Sequence, residues 1–192
     1  MKKLILASTS PRRKYLLENA GLIFDIIAPE YDESLINKSF SYEKIENIAY
    51  NKCESVAKNI DFPALIISAD TVVIYDNTVM GKPKDFNDAF NMLSKLNGTV
   101  HKVVTAICIK DTENNKKIIK SNTSEVTFNK KEENEIKEYI KNYKPYDKAG
   151  AYGIQEMDKS FIKEIKGEYD NIVGLPVKML KIMLKEITNS SI

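Results

Sequence analysis

The chain holds 29 basic residues, yet only Arg12 and Arg13 are arginines, and they are adjacent. A guanidinium is a planar fork of donors that grips phosphate or carboxylate, whereas a lysine ammonium is a hydrated point charge. The pair stands in Ser8-Thr9-Ser10-Pro11-Arg12-Arg13, directly after the apolar run Leu4-Ile5-Leu6-Ala7. An apolar strand, small hydroxyls, a proline and then arginines predict an anion-binding turn at the start of a helix. A phosphate there would meet backbone N–H groups, the Ser8 and Ser10 hydroxyls and the guanidinium forks together. Cations in a first helical turn oppose the macrodipole, and a bound anion would reverse that sign. The plain alternative is two charges pointing into water.

Lys52 is a second clue. In the segment Ser41–Ile60, the residues Ile45, Ile48, Ala49, Cys53, Val56 and Ile60 form one helical stripe. At 100° per residue Lys52 falls inside that stripe, so it faces either a partner in a wet cleft or the edge of the core. Asp70 follows the apolar run Ala64–Ser68 and is read as closing that strand, where α/β proteins place ligand groups. Glu33 lies in an acidic loop after the preceding strand, and Lys82 in the turn Met80-Gly81-Lys82-Pro83. Two carboxylates from Glu33 and Asp70 could hold a hard divalent cation, with water and substrate oxygens completing its shell. Taken together the set suits a polyphosphate bridged to Mg²⁺ or Mn²⁺. Neither a G-x-x-x-x-G-K-[ST] loop nor a G-x-G-x-x-G turn is present.

Composition narrows the classes. At 192 residues the chain fits a single domain, with room for two lobes around a central cleft. A net charge of +2 argues against a broad electrostatic grip on nucleic acid. No apolar run is long enough to span a membrane and no secretory signal precedes the first strand, so a cytoplasmic protein is expected. Cys53 and Cys108 are expected as buried thiols rather than a disulfide. One histidine, His101, excludes a multi-histidine metal site and leaves a Ser-His-Asp triad without its usual motif.

The elements that must position these residues follow from periodicity and punctuation. Strands are expected over Lys3–Ala7, Leu22–Ala28, Ala64–Ser68 (with Val72–Tyr75 extended), Lys102–Lys110, Lys117–Phe128 and Phe161–Ile165. Helices are expected over Pro11–Ala20, Ser41–Ile60, Asn87–Leu96, Glu132–Asn142 and Val177–Ile187. Ser10 is the expected N-cap of the first helix, Gly21 its stop, and Tyr15, Leu16 and Leu17 its core face. Lys148–Gln155 reads as a loop. The two long strands around Asp111–Asn115 should pair as a hairpin, which makes a purely parallel sheet unworkable. The fold class is therefore α/β, a mixed sheet flanked by helices.

Several motifs occur in order across nearly the whole chain. They are Ser8-Thr9-Ser10-Pro11-Arg12-Arg13, Ala69-Asp70-Thr71-Val72-Val73, Gly81-Lys82-Pro83, Gly98…His101…Thr105, Lys148-Ala149-Gly150-Ala151-Tyr152-Gly153-Ile154-Gln155 and Asn171-Ile172-Val173-Gly174-Leu175-Pro176. In these the chain resembles the Maf family of nucleoside triphosphate pyrophosphatases. The resemblance implies an inosine-triphosphatase-like α/β fold, a homodimer, a divalent metal, and hydrolysis of a nucleoside triphosphate to monophosphate and pyrophosphate. It makes Asp70 the acid-base residue, places Glu33, Lys52 and Lys82 with metal and phosphates, and puts Ser8, Arg12 and Arg13 in the phosphate-binding turn. Arg12, Thr71 and Gln155 resemble the branch acting on dTTP and UTP, leaving modified pyrimidine nucleotides open. A related branch acting on 7-methyl-GTP carries a tryptophan after the Ser-Pro, and this chain has no tryptophan. Gln155 offers a donor and an acceptor to a pyrimidine edge.

Two other readings compete. One is a nucleotide- or nucleic-acid-binding regulator of cell division, against which the near-neutral charge and the lack of basic-aromatic stacking platforms weigh. The other is a phosphatase of sugar phosphates, which would release orthophosphate. His101, at a strand start, reads as structural or as capping a loop, with a site role as the alternative; Tyr152 beside the Gln155 loop is a further candidate for the pocket, and Asp147, Lys148 and Asn171 lie in family-like segments without an assigned role.

Overall fold

The computed structural model describes residues 2–31 and 39–189. A seven-stranded mixed sheet forms the centre. Strand β1 (Lys3–Leu6) pairs in parallel with the short β2 (Asp25–Ile26) on one side and with β3 (Ala64–Tyr75) on the other. The remaining pairings are antiparallel: β3 with β5 (Val100–Asp111), β5 with β6 (Lys117–Phe128), and β6 with β7 (Ile162–Lys166). The expected hairpin is β5–β6, and the mixed sheet follows from it. Strand β4 (Thr78–Met80) folds back onto the end of β3.

Helices cover both faces. Helix α2 (Tyr42–Ala57) packs Ile45, Ala49, Cys53 and Val56 against Ile66, Val72, Val104 and Cys108 on one face. Helices α1 (Pro11–Asn19), α3 (Phe86–Leu96), α4 (Glu133–Tyr143), α5 (Tyr169–Val173) and α6 (Val177–Asn189) belong to the opposite side. There Leu17, Leu93, Ile140, Ile172 and Met183 share a core with Ile67, Val73 and Ile107. Caps set several starts: Ser41 accepts from the Lys44 N–H, and Asp85 accepts from the Asp88 N–H. Among the described residues no helix is long and apolar enough to cross a membrane, and both cysteines are buried free thiols.

Three expectations need correction. The strand expected over Leu22–Ala28 shrinks to Asp25–Ile26, the two residues in register with β1, beyond which the Ile27 N–H adds one bond to the Leu6 carbonyl; Ile23 is 95% exposed. Tyr15 does not join the core of α1: Leu16 and Leu17 fill the interior face, and Tyr15 is 52% exposed. Asp70 does not end a strand. Strand β3 runs unbroken for 12 residues because Val72–Ile74 stays in register with β5 and Tyr75 pairs with β4. What ends near Asp70 is the neighbour: β1 pairs with β3 only as far as Ile67, and β4 resumes at Val73. Residues 68–72 of β3 therefore have no strand on that edge among the described residues.

Candidate active site

That gap in the sheet is the floor of a cleft of about 1000 Å³. Side chains of a strand alternate between faces. Asp70 points to the α2 face together with Val72, while Thr71 points to the opposite face with Ala69 and Val73. Because the edge between them is open, the cleft reaches groups from both faces.

On the first face, Lys52 of α2 donates to Asp70 Oδ1 at 2.7 Å. Both residues are buried, at 5% and 7% exposure. The inward lysine read from the helical stripe has its partner in the carboxylate read from the strand. The pair is fixed from both ends: Ser68, two residues before Asp70, donates to the Ala49 carbonyl of α2 at 2.5 Å. Charges at such depth persist only when paired.

On the second face, Arg13 is bracketed rather than loose. Its Nε donates to the Gly174 carbonyl at 2.9 Å, Nη1 to Ser8 Oγ at 3.2 Å and Nη2 to Thr71 Oγ1 at 3.2 Å. Hydroxyl protons can be followed from there. Thr105 donates to the Asn171 carbonyl, so the 2.9 Å contact between Thr71 and Thr105 is a donation from Thr71. The Thr71 hydroxyl, read from the sequence as a specificity group, is thus an acceptor for Arg13 and a donor to Thr105. Gly174 has φ of +125°, which only glycine adopts readily, so the carbonyl that receives Arg13 depends on that residue.

The turn from Ser8 to Arg13 leads into α1 where expected, with one difference. Ser10 occupies the N-cap position of α1 and Pro11 the first helical position, but the Ser10 side chain makes no cap bond. Instead the Ser10 N–H donates to Ser8 Oγ at 3.2 Å. Ser8 is the centre of the turn, accepting from both Ser10 and Arg13. Pro11 has no N–H and the Lys14 N–H bonds the Ser10 carbonyl, so Arg12 and Arg13 supply the remaining first-turn amides of α1.

The far wall is built from loops. Arg12 Nη1 reaches across to Asp147 Oδ2 at 3.1 Å. Lys148 donates to Asp147 Oδ1 at 2.8 Å and pairs with Glu156 Oε2 at 3.0 Å. Partial burial pushes the Asp147 carboxyl up, but hydrogen bonds from Lys148 and Arg12 outweigh it and hold it below the usual carboxylate range. The Gly150 N–H bonds the Gly81 carbonyl at 3.0 Å and joins the turn carrying Lys82 to the 3-10 turn Ala149–Ala151. Tyr152 lines the cleft, and its hydroxyl meets His101 Nε2 at 2.7 Å. Burial lowers the His101 pKa to about 4, so the ring is neutral near pH 7.

The cleft thus brings together Ser8, Ser10, Arg12, Arg13, Lys52, Asp70, Thr71, Lys82 and Gln155. Glu33 lies outside the described residues. His101 is not a lining residue; it acts behind Tyr152. Asp147, Lys148 and Glu156 have no role assigned from the sequence, where only the adjacent Asp147-Lys148 pair is a local signal.

Residues 3–187 match the family described as Maf-like protein. The chain belongs to the Maf family. A protein of Clostridium beijerinckii named dTTP/UTP pyrophosphatase is 46% identical over 186 residues, covering 96% of this chain and 99% of its own length. One of the same name from Ruminiclostridium cellulolyticum is 42% identical over 193 residues and covers both chains fully. Among solved structures, a nucleoside-triphosphatase / dITP/XTP pyrophosphatase from Mycobacterium abscessus is a looser match. It is 16% identical at a TM-score of 0.45, covering 66% of this chain and 74% of that one.

A divalent cation is the cofactor that the family resemblance implies. Among the described residues no group of three or more His, Cys, Asp or Glu is placed to hold a metal ion. Mg²⁺ needs no such cage: it is commonly held by one or two carboxylates, with water and substrate phosphates filling the rest. Asp70, a carboxylate lining a cleft rich in cations, fits that mode as one protein ligand.

Proposed function

We propose that this cleft binds a nucleoside triphosphate and hydrolyses it to the monophosphate and pyrophosphate, with dTTP and UTP as preferred substrates. The observation that carries the reading is the buried Lys52–Asp70 pair opening into a cleft whose rim presents Arg12 and Lys82. The names of full-length relatives above 40% identity support the same substrates.

In this reading Asp70 accepts the proton of a water that attacks phosphorus, and pyrophosphate leaves. Lys52 holds the carboxylate in one orientation through Oδ1. The Arg12 guanidinium, Lys82 and the first-turn amides of α1 balance the charge that develops on the polyphosphate. Arg13 acts from behind by fixing Ser8 and Thr71. Gln155, exposed on the loop wall, reads the pyrimidine edge. Mg²⁺ or Mn²⁺, when bound at Asp70 with Glu33 as the second proposed ligand, would supply charge neutralisation and Lewis-acid polarisation. Two free buried thiols fit a reducing cytoplasm.

Asp70→Asn tests the assignment. It preserves shape and the contact with Lys52, and pyrophosphate release from dTTP should fall by about 100-fold or more. Parental turnover in this variant would remove Asp70 from the chemistry. Release of orthophosphate rather than pyrophosphate by the parent protein would remove the reaction class.

A further inference from the structure

Lys148 is a buried cation in the loop wall. Its side chain is 8% exposed, and it is compensated twice, by Asp147 and by Glu156. The second oxygen of Asp147 receives Arg12. An unbroken series of alternating charges, Arg12–Asp147–Lys148–Glu156, therefore runs from the first turn of α1 to the residue that follows Gln155. The backbone makes room for it. A Cβ at Gly153 would lie 2.8 Å from Lys148 Cε and 3.2 Å from Glu156 Oε2, so any side chain there would displace the ammonium. The Glu156 and Met157 N–H groups both bond the Gly153 carbonyl at 3.0 Å, and this tight turn carries Gln155 within it.

We propose that Lys148 is a positioning residue that links phosphate capture at Arg12 to base selection at Gln155. The inference rests on the nucleoside triphosphate reading above. Asp147 is shared between two cations, each on its own oxygen. When a polyphosphate draws the Arg12 guanidinium away, Asp147 still has Lys148, and no carboxylate is stranded. Arg12 is thereby released to the ligand at small cost. The same event increases the pull of Asp147 on Lys148 and alters the hold of Lys148 on Glu156. The turn that presents Gln155 responds, so the phosphate and the base are read through one ammonium.

Calorimetry with Mg²⁺ present tests this with three probes: inorganic tripolyphosphate and the α,β-imido analogues of dTTP and dATP. Asp147→Asn removes the competitor for Arg12 and should bind tripolyphosphate about threefold more tightly. Lys148→Met leaves Asp147 to Arg12 alone and should bind tripolyphosphate about threefold more weakly. Lys148→Met and Glu156→Gln should both reduce the affinity ratio of the dTTP to the dATP analogue, by about tenfold. Glu156→Gln should leave tripolyphosphate binding unchanged. Should Lys148→Met fail to fold, Gly153→Ala crowds the same ammonium and should reproduce the lost ratio. A uniform weakening of all three probes in Lys148→Met, or weaker tripolyphosphate binding in Asp147→Asn, would overturn the linkage. Pyrophosphate release from dTTP by the parent protein is a separate readout. If it is absent while the affinity pattern holds, the hydrolase reading fails and the linkage stands.

Discussion

The floor and the far wall of the cleft are built by different means. The floor is regular structure: Asp70 and Thr71 on the central strand β3, Lys52 on α2, and Arg13 on α1 with its donors going to three fixed acceptors. The wall is loop and 3-10 turn, and its ion pairs involve partly exposed carboxylates on Asp147 and Glu156. On the proposed function, the groups assigned to bond breaking sit in regular packed structure, while those assigned to discrimination between ligands sit on loops where small shifts are cheap. Arg12 and Arg13 condense the contrast, one belonging to each region despite their adjacency.

The sharpest break of this comparison is Lys52→Met. It leaves Asp70 buried without its cation, and urea unfolding should show a loss of about 3–5 kcal/mol. A loss under 1 kcal/mol would mean that water reaches the pair and that the floor is no more rigid than the wall.

Acid should attack the wall next. Folded His101 stays neutral down to about pH 4, whereas an unfolded histidine protonates near 6.5. Between those values the unfolded chain binds more protons, so stability is lost as pH falls through the window and is unaffected by this group above it. The full window corresponds to about 3 kcal/mol. His101→Gln should remove that part of the pH dependence, seen as a flatter profile of unfolding free energy from pH 7 to 4. An unchanged profile would place the acid sensitivity elsewhere.

The two arginines give the finest comparison. Arg13→Lys loses a three-way bracket and should lower stability by about 1–2 kcal/mol. Arg12→Lys should change stability by less than about 0.5 kcal/mol, since its partner Asp147 is exposed, yet lower kcat/KM for dTTP by about tenfold. Equal behaviour of the two variants in both assays would erase the distinction between floor and wall.

Much of the floor was legible in the sequence because it rests on period. The helical stripe of Ile45, Ile48, Cys53 and Val56 placed Lys52 inward, and β-branched runs marked β3, β5 and β6. Where Asp70 stood in its strand was not legible, since the strand that stops there is β1, a different segment altogether. Asp147, Lys148 and Glu156 follow no period, and the contact of Asp147 with Arg12 spans 135 residues. Closeness of that kind arises from the path of the whole chain, and a local pattern contains no trace of it. Tyr15 failed for the opposite reason: α1 is so short that two leucines suffice to face its interior.

Among the described residues the margin of β3 between Ile67 and Val73 is bare, and that carries one more consequence. Unclaimed amide and carbonyl groups along a strand invite another polypeptide to zip on, which is how folded proteins stick together. Here that invitation is recessed, with Ser68, Ala69, Asp70 and Val72 all buried. It is also only five residues long, hemmed in by β1 at one end and β4 at the other. A foreign strand has neither the length nor the headroom to dock, so what would be a hazard on an outer border becomes a berth that admits only small guests.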